Sequence, residues 1–108
     1  MITTHVLDTS RGRPAAGVPV RLERRAGQGW TVVGTGATDD DGRARELVPD
    51  GVRLEAGAYS LRFDTSAYLG PDAFFPEVLL TFTVAAPEEH HHVPLLLSPF
   101  GYSTYRGS

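Results

Sequence analysis

Residues 77–85 read EVLLTFTVA, and this stretch indicates the fold more directly than any other. Val78, Leu80, Phe82 and Val84 alternate along it with Leu79, Thr81 and Thr83. A period of two is typical of a β-strand that buries one face and exposes the other. The stretch therefore predicts a strand that packs on a core.

The same period recurs on both sides of this stretch. Tyr59, Leu61 and Phe63 share one face of AYSLRFD, and Val18, Val20 and Leu22 share one face of GVPVRLERR. Four further strand candidates are THVLD (4–8), WTVVGTGAT (30–38), GRARELV (42–48) and HHHVPLLLS (90–98). A short helix is predicted only in DTSAYLG (64–70), which begins with capping residues and stops at Gly70-Pro71. Short strands at this spacing predict an all-β, two-sheet sandwich of seven or eight strands.

Composition limits the classes of function. The 108 residues fit a single domain, 1–108, and the net charge of −3 argues against a nucleic-acid binder. No apolar run is long enough to cross a membrane, and the first residues show no secretory signal. Cysteine is absent and all ten basic residues are arginine. We therefore expect a cytoplasmic protein, and the arginine bias indicates a GC-rich, bacterial genome.

Histidines form the first candidate site. His90, His91 and His92 are consecutive, and strand alternation places His90 and His92 on one face. With His5 from the first strand, this pair could bind zinc. It could equally perform metal-free acid–base chemistry, or simply cover the solvent face of a strand. The spacing leaves all three interpretations open.

Two other segments carry polar groups of interest. Asp41-Gly42 predicts a tight hairpin turn with Gly42 at positive φ, and Arg43 emerges directly after it. The chain ends in YSTYRGS, whose aromatic density is unusual for a frayed terminus. The pair Phe74-Phe75 before Pro76 is explained by packing.

Several of these pieces occur together in one known family. THVLDTSRGRPAAGVPVRL, DGR, FFPE, HHHVPLLLSP and the terminal YRGS closely resemble the 5-hydroxyisourate hydrolases, the transthyretin-related proteins of urate breakdown. The resemblance covers essentially the whole chain in the family's order. It implies a transthyretin-like sandwich of about eight strands with one short helix, assembled as a homotetramer (a dimer of dimers). It also implies hydrolysis of 5-hydroxyisourate without a cofactor.

The resemblance carries site residues over one by one. It implies that His5, Arg43, His92 and Ser108 are catalytic. It implies that His5, Arg43, Tyr105, Arg106 and Gly107 bind substrate, in a pocket that two subunits share. His91 stands where the family often has an aromatic residue, and should face away from the site. Two alternatives remain: a non-enzymatic carrier on the same fold, and a zinc-dependent hydrolase that uses His5, His90 and His92.

Overall fold

The computed structural model describes all residues, 1–108, as two β-sheets with one short helix. The elements in chain order are β1 (Ile2–Asp8), β2 (Arg13–Pro14), β3 (Pro19–Ala26), β4 (Gly29–Ala37), β5 (Arg43–Ala44), β6 (Gly57–Phe63), α1 (Ser66–Leu69), β7 (Val78–Val84), β8 (His91–Ser98) and β9 (Gly101–Thr104). The predicted all-β sandwich is therefore confirmed. It has nine strands rather than about eight, because β2 and β9 lie outside the seven strand candidates. The candidate in residues 42–48 forms a strand only at β5, which pairs along β1.

The sheets differ in how their strands are ordered. One sheet runs β4-β3-β6-β7 and is antiparallel throughout. The other runs β2-β1-β8-β9, with β5 also paired to β1. Its central pair, β1 and β8, is parallel, and the register sets Thr3 beside His92 and His5 beside Pro94. This pairing joins the two ends of the chain and positions the site described below.

A shared core lies between the sheets. Tyr59, Leu61 and Phe63 on β6 are fully buried, as the alternation predicted, and face apolar residues of the other sheet such as Leu95 and Leu97. The buried apolar cluster contains 17 residues drawn from both sheets and their connections, so each sheet covers the apolar face of the other.

The Asp-Gly turn was predicted correctly in conformation but not in connectivity. Gly42 has φ 77°, and its N–H donates to the Asp39 carbonyl at 2.9 Å, closing the turn. However, β5 after the turn pairs with β1 and not with β4. The turn therefore crosses between the sheets instead of forming a hairpin. A Cβ at Gly42 would lie 2.5 Å from the Val6 carbonyl oxygen, so close backbone packing also requires glycine here.

The predicted helix in residues 64–70 is a single turn, Ser66–Leu69. Asp64 accepts a hydrogen bond from the Ser66 hydroxyl at 2.7 Å, and the turn ends at Gly70, with φ 106°. The helix packs near β1 through Tyr68, whose hydroxyl donates to the buried Asp8 carboxylate at 2.6 Å. No helix of the structure is long and apolar enough to cross a membrane.

Candidate active site

A cleft of about 260 Å³ opens at the end of the sandwich where β1, β5 and β8 begin and the chain ends. Its lining brings together residues that are remote in sequence: Met1, Thr3, Thr4, Arg43, Arg45, His90, His92 and Ser108. Three of the predicted catalytic residues, Arg43, His92 and Ser108, therefore line one cleft. His5 adjoins it, because its backbone pairs with that of Arg43.

His92 is the most constrained of these side chains. Its Nδ1 lies 2.7 Å from the Thr3 hydroxyl, and its Nε2 has no partner in the protein. Burial lowers the pKa of His92 below its ordinary value, and the positive charges of Arg43, His90 and His5 lower it further. The ring therefore favours its neutral form, in which it can accept a proton.

His5 is held by the Asp39–Gly42 turn. Its Nε2 lies 2.8 Å from the carbonyl oxygen of Asp41. A carbonyl can only accept a hydrogen bond, so Nε2 carries the proton and the neutral ring keeps its lone pair on Nδ1. The turn thus fixes the tautomer of His5.

Arg43 is half-buried, and the same turn holds its backbone, because its N–H donates to the Asp39 carboxylate at 3.0 Å. Its guanidinium takes part in no ion pair, whereas Arg45, two residues on, pairs with Asp39 at 3.2 Å. A guanidinium without a carboxylate partner beside a cleft is available to an anionic ligand.

The C-terminal tail reaches the site through Gly107. The Gly107 N–H donates to the His92 carbonyl at 2.8 Å, and the two residues form a β-bridge. A Cβ at Gly107 would lie 2.5 Å from Cδ2 of His92, the ring atom bonded to Nε2. Only glycine allows the tail to pass this close to the imidazole edge, and Ser108 then lines the cleft.

Tyr105 and Arg106 lie elsewhere in the single chain. They line a second hollow, of about 230 Å³, together with the buried His91, residues of β7 and His92, which also lines the cleft. Arg106 pairs with the exposed Glu89 at 3.4 Å. The structure therefore brings Arg43, His92 and Ser108 to one cleft but does not bring Tyr105 and Arg106 to it.

The histidine cluster has the alternation that the sequence predicted. His90 and His92 share a face, since both approach the Thr3 hydroxyl at 2.7 Å. His91 points the other way, is only 4% exposed and donates from Nδ1 to the Glu89 carbonyl at 3.0 Å. His5, His90 and His92, the zinc ligands of the alternative interpretation, are not grouped in the single chain so that three of them could hold a metal ion.

Thr3 is a site residue that the sequence analysis missed. It is 5% exposed and joins two histidines through one hydroxyl. The available signal was its position two residues before His5, which places both side chains on the same face of β1.

A family model, curated relatives and solved structures all match nearly the whole chain. The family model described as HIUase/Transthyretin matches residues 2–107. A 5-hydroxyisourate hydrolase of Salmonella dublin is 46% identical over 111 residues, which cover 100% of this chain and 81% of that protein. Among solved structures, the 5-hydroxyisourate hydrolase of Klebsiella pneumoniae has a TM-score of 0.82 at 35% identity, covering 99% of this chain and 97% of that one. Sea bream transthyretin in complex with thyroxine has a TM-score of 0.86 at 34% identity, covering 98% and 93%.

Proposed function

The chain belongs to the HIUase/Transthyretin family, and from that premise we propose that it hydrolyses 5-hydroxyisourate to 2-oxo-4-hydroxy-4-carboxy-5-ureidoimidazoline in urate breakdown. The observation that carries the proposal is the cleft that Arg43, His92 and Ser108 line together. It offers a base, a fixed positive charge and a hydroxyl within one small volume. We assign residues 1–108 to a single hydrolase domain.

Opening a cyclic amide needs an activated water and a group that stabilises negative charge on the carbonyl oxygen. The water oxygen adds to the carbonyl carbon, and the ring C–N bond then breaks. The departing nitrogen takes the proton that the base removed from the water, and the new carboxylic acid loses its proton and is released as a carboxylate. Each of these steps has a candidate side chain in or beside the cleft.

We assign the proton transfer from water to His92, whose neutral ring and unpartnered Nε2 suit a general base. Arg43 binds the anionic purine-like substrate and the oxygen on which charge develops. The Nδ1 lone pair of His5 accepts a hydrogen bond from a ring N–H or from the water. The Ser108 hydroxyl orients the water, and Gly107 lets the tail reach the cleft. Tyr105 and Arg106 lie outside this cleft in the single chain and contribute to substrate binding in the pocket that two subunits complete.

We also propose that the protein assembles as a homotetramer in which two subunits complete each pocket. Two features support assembly. Strand β9 lies at the edge of its sheet, with backbone groups free to pair. Beside it, Phe75 contacts Tyr102 with ring centroids 5.3 Å apart, and Phe74 and Phe100 are 66% and 81% exposed. Exposed aromatic patches of this kind are typical of interfaces.

A cytoplasmic location of the protein stays a prediction.

The first test is catalysis on the proposed substrate. We expect the purified protein to accelerate the decay of freshly made 5-hydroxyisourate and to leave urate unchanged, because the site has a base for hydrolysis. Stopped-flow absorbance measures both reactions against the spontaneous decay. A folded protein that binds 5-hydroxyisourate but leaves its decay rate unchanged would instead support a carrier on the same fold.

A second test uses the pKa of His92. If neutral His92 is the base, kcat/KM should fall on acidification as the ring becomes protonated. Because burial and the charges of Arg43, His90 and His5 lower this pKa, the fall should occur below the ordinary histidine range. Initial rates across the acidic range measure the midpoint. A midpoint above that range would contradict the assignment.

A further inference from the structure

The Thr3 hydroxyl has more neighbours than an ordinary strand threonine. Its oxygen lies 2.7 Å from Nε2 of His90 and 2.7 Å from Nδ1 of His92, and Thr3 is 5% exposed. The two imidazole rings are tilted by 61°, with centroids 6.2 Å apart, so the hydroxyl is the polar atom that joins them.

The number of protons available to this hydrogen-bond bridge restricts the tautomers of both histidines. A hydroxyl has one proton to donate and lone pairs with which to accept. If it accepted from both rings, its own proton would be buried without a partner, which is unfavourable. The favoured arrangement is therefore one donated and one accepted hydrogen bond. The tautomers of His90 and His92 are then coupled, because one ring must present N–H and the other a lone pair.

We propose that Thr3 is a positioning residue that fixes the tautomer of His92. It accepts a hydrogen bond from Nδ1–H of His92 and donates its own proton to Nε2 of His90. His92 then keeps its lone pair on Nε2, the nitrogen on the ring edge that faces Gly107 and the cleft. This assignment rests on the proposed function, in which that nitrogen takes a proton from water.

His90 receives a role through the same bridge. It is exposed, and its Nδ1 has no partner in the protein, so water can satisfy it in either tautomer. The ring acts as the acceptor that keeps the Thr3 proton away from His92. It therefore influences His92 without touching the substrate.

The direct test is the tautomer of His92 in the free protein. Long-range proton–nitrogen spectra of ¹⁵N-histidine-labelled protein, recorded where His92 is neutral, distinguish Nδ1–H from Nε2–H. We expect Nδ1–H in the unaltered chain. In Thr3→Val, which keeps the shape and removes the hydroxyl, we expect a shift towards Nε2–H, the form that free imidazole side chains prefer in water. Thr3→Ser should restore Nδ1–H.

Turnover provides the second readout. Removing the partner that orients a metal-bound histidine typically costs roughly 10- to 100-fold, and we expect a similar effect for a histidine that acts as a base. We expect a loss of that size in the kcat of Thr3→Val with little change in KM, and recovery in Thr3→Ser. Thr9→Val is the matched control. It removes a threonine hydroxyl that donates to the Leu97 carbonyl at the far end of the same strand pair, at 3.2 Å. It should change neither readout.

A third variant, His90→Ala, tests the proposal even if Thr3→Val does not fold. His90→Ala removes an exposed ring and frees the Thr3 proton to donate to Nδ1 of His92, so it should also shift His92 towards Nε2–H. An unaltered protein with His92 as Nε2–H, or an unchanged tautomer in the folded variants, would overturn the proposal. The expected tautomers in a protein inactive on 5-hydroxyisourate would instead overturn the proposed function and leave the bridge intact.

Discussion

Arg43→Ala is expected to lower kcat/KM for 5-hydroxyisourate by about 10²- to 10³-fold, the range typical for losing one preorganised group that stabilises developing charge. Arg43 lines the cleft and forms no ion pair, so no structural bond is lost with its guanidinium. Its turn is held by backbone hydrogen bonds, which alanine retains. The fold should therefore survive, and stopped-flow absorbance with circular dichroism on one sample measures both properties.

Two further variants sharpen this test. Arg43→Lys keeps the charge but not the forked, planar donor, so it should recover only part of the activity if two-point binding matters. Arg53→Ala removes the same charge from an exposed position in the β5–β6 connection and should leave turnover unchanged. Near-normal turnover in Arg43→Ala, with Arg53→Ala equally active, would remove Arg43 from the site.

The strands that form the core could be predicted because each strand of a sandwich buries one face in the core and exposes the other. Val78 and Leu61 belong to segments whose period of two follows directly from this constraint, and both are buried. The shortest pairings could not be predicted in the same way. Strand β9, GYST, buries none of its four residues, and β2 is two exposed residues. Their strand geometry depends on the neighbours with which they pair.

Which strands pair with one another was harder to predict than where the strands lie. The parallel pairing of β1 with β8 joins Thr3 to His92, which are separated by 89 positions. No local pattern encodes such a contact, because the apolar alternation of β1 and that of β8 are compatible with several strand orders in the sheet. The same difficulty explains the Asp-Gly turn. Its chemistry predicted the conformation of Gly42, but the sheet to which Arg43 belongs depends on long-range pairing.

The candidate site was therefore only partly predictable from residue types. Family resemblance supplied His5, Arg43, His92 and the tail, and the structure shows Arg43, His92 and Ser108 around one cleft. Thr3 was not singled out, because a β-branched residue in a strand is ordinary. Its importance appears only when the β1–β8 register sets its hydroxyl between two rings.

The C-terminal segment reaches the candidate site by running back along β8. Strand β9 reverses the chain so that residues 105–108 return along the edge of β8. Their polar contacts with the body of the protein are few: one backbone hydrogen bond from Gly107 and an exposed ion pair at Arg106. Exposed ion pairs contribute at most about 1 kcal/mol, and one hydrogen bond about the same. The segment thus contributes little to stability, which leaves proximity to His92 as its main structural consequence.

A chain truncated after Thr104 is accordingly expected to lose about 10²-fold or more in turnover while its β-sheet spectrum is retained. None of the four removed residues belongs to the buried core, so unfolding should shift only modestly. The loss should follow from removing the Ser108 hydroxyl from the cleft and exposing the ring edge of His92. Turnover, circular dichroism and native mass should be read on the same sample.

Gly107→Ala refines the truncation, because it keeps every hydrogen-bonding group of the tail. Its added Cβ would overlap Cδ2 of His92, so the tail or the ring must move, and turnover should fall although no functional group is removed. Ser108→Ala tests the hydroxyl alone and should cost less than the truncation. If the truncated chain dissociates, the effect of losing the cleft wall cannot be told from the effect of losing the assembly. Gly107→Ala and Ser108→Ala, in chains that stay assembled, then test the role of the tail in the cleft alone. A folded, fully active truncation would show that the terminus is not a wall of the active site.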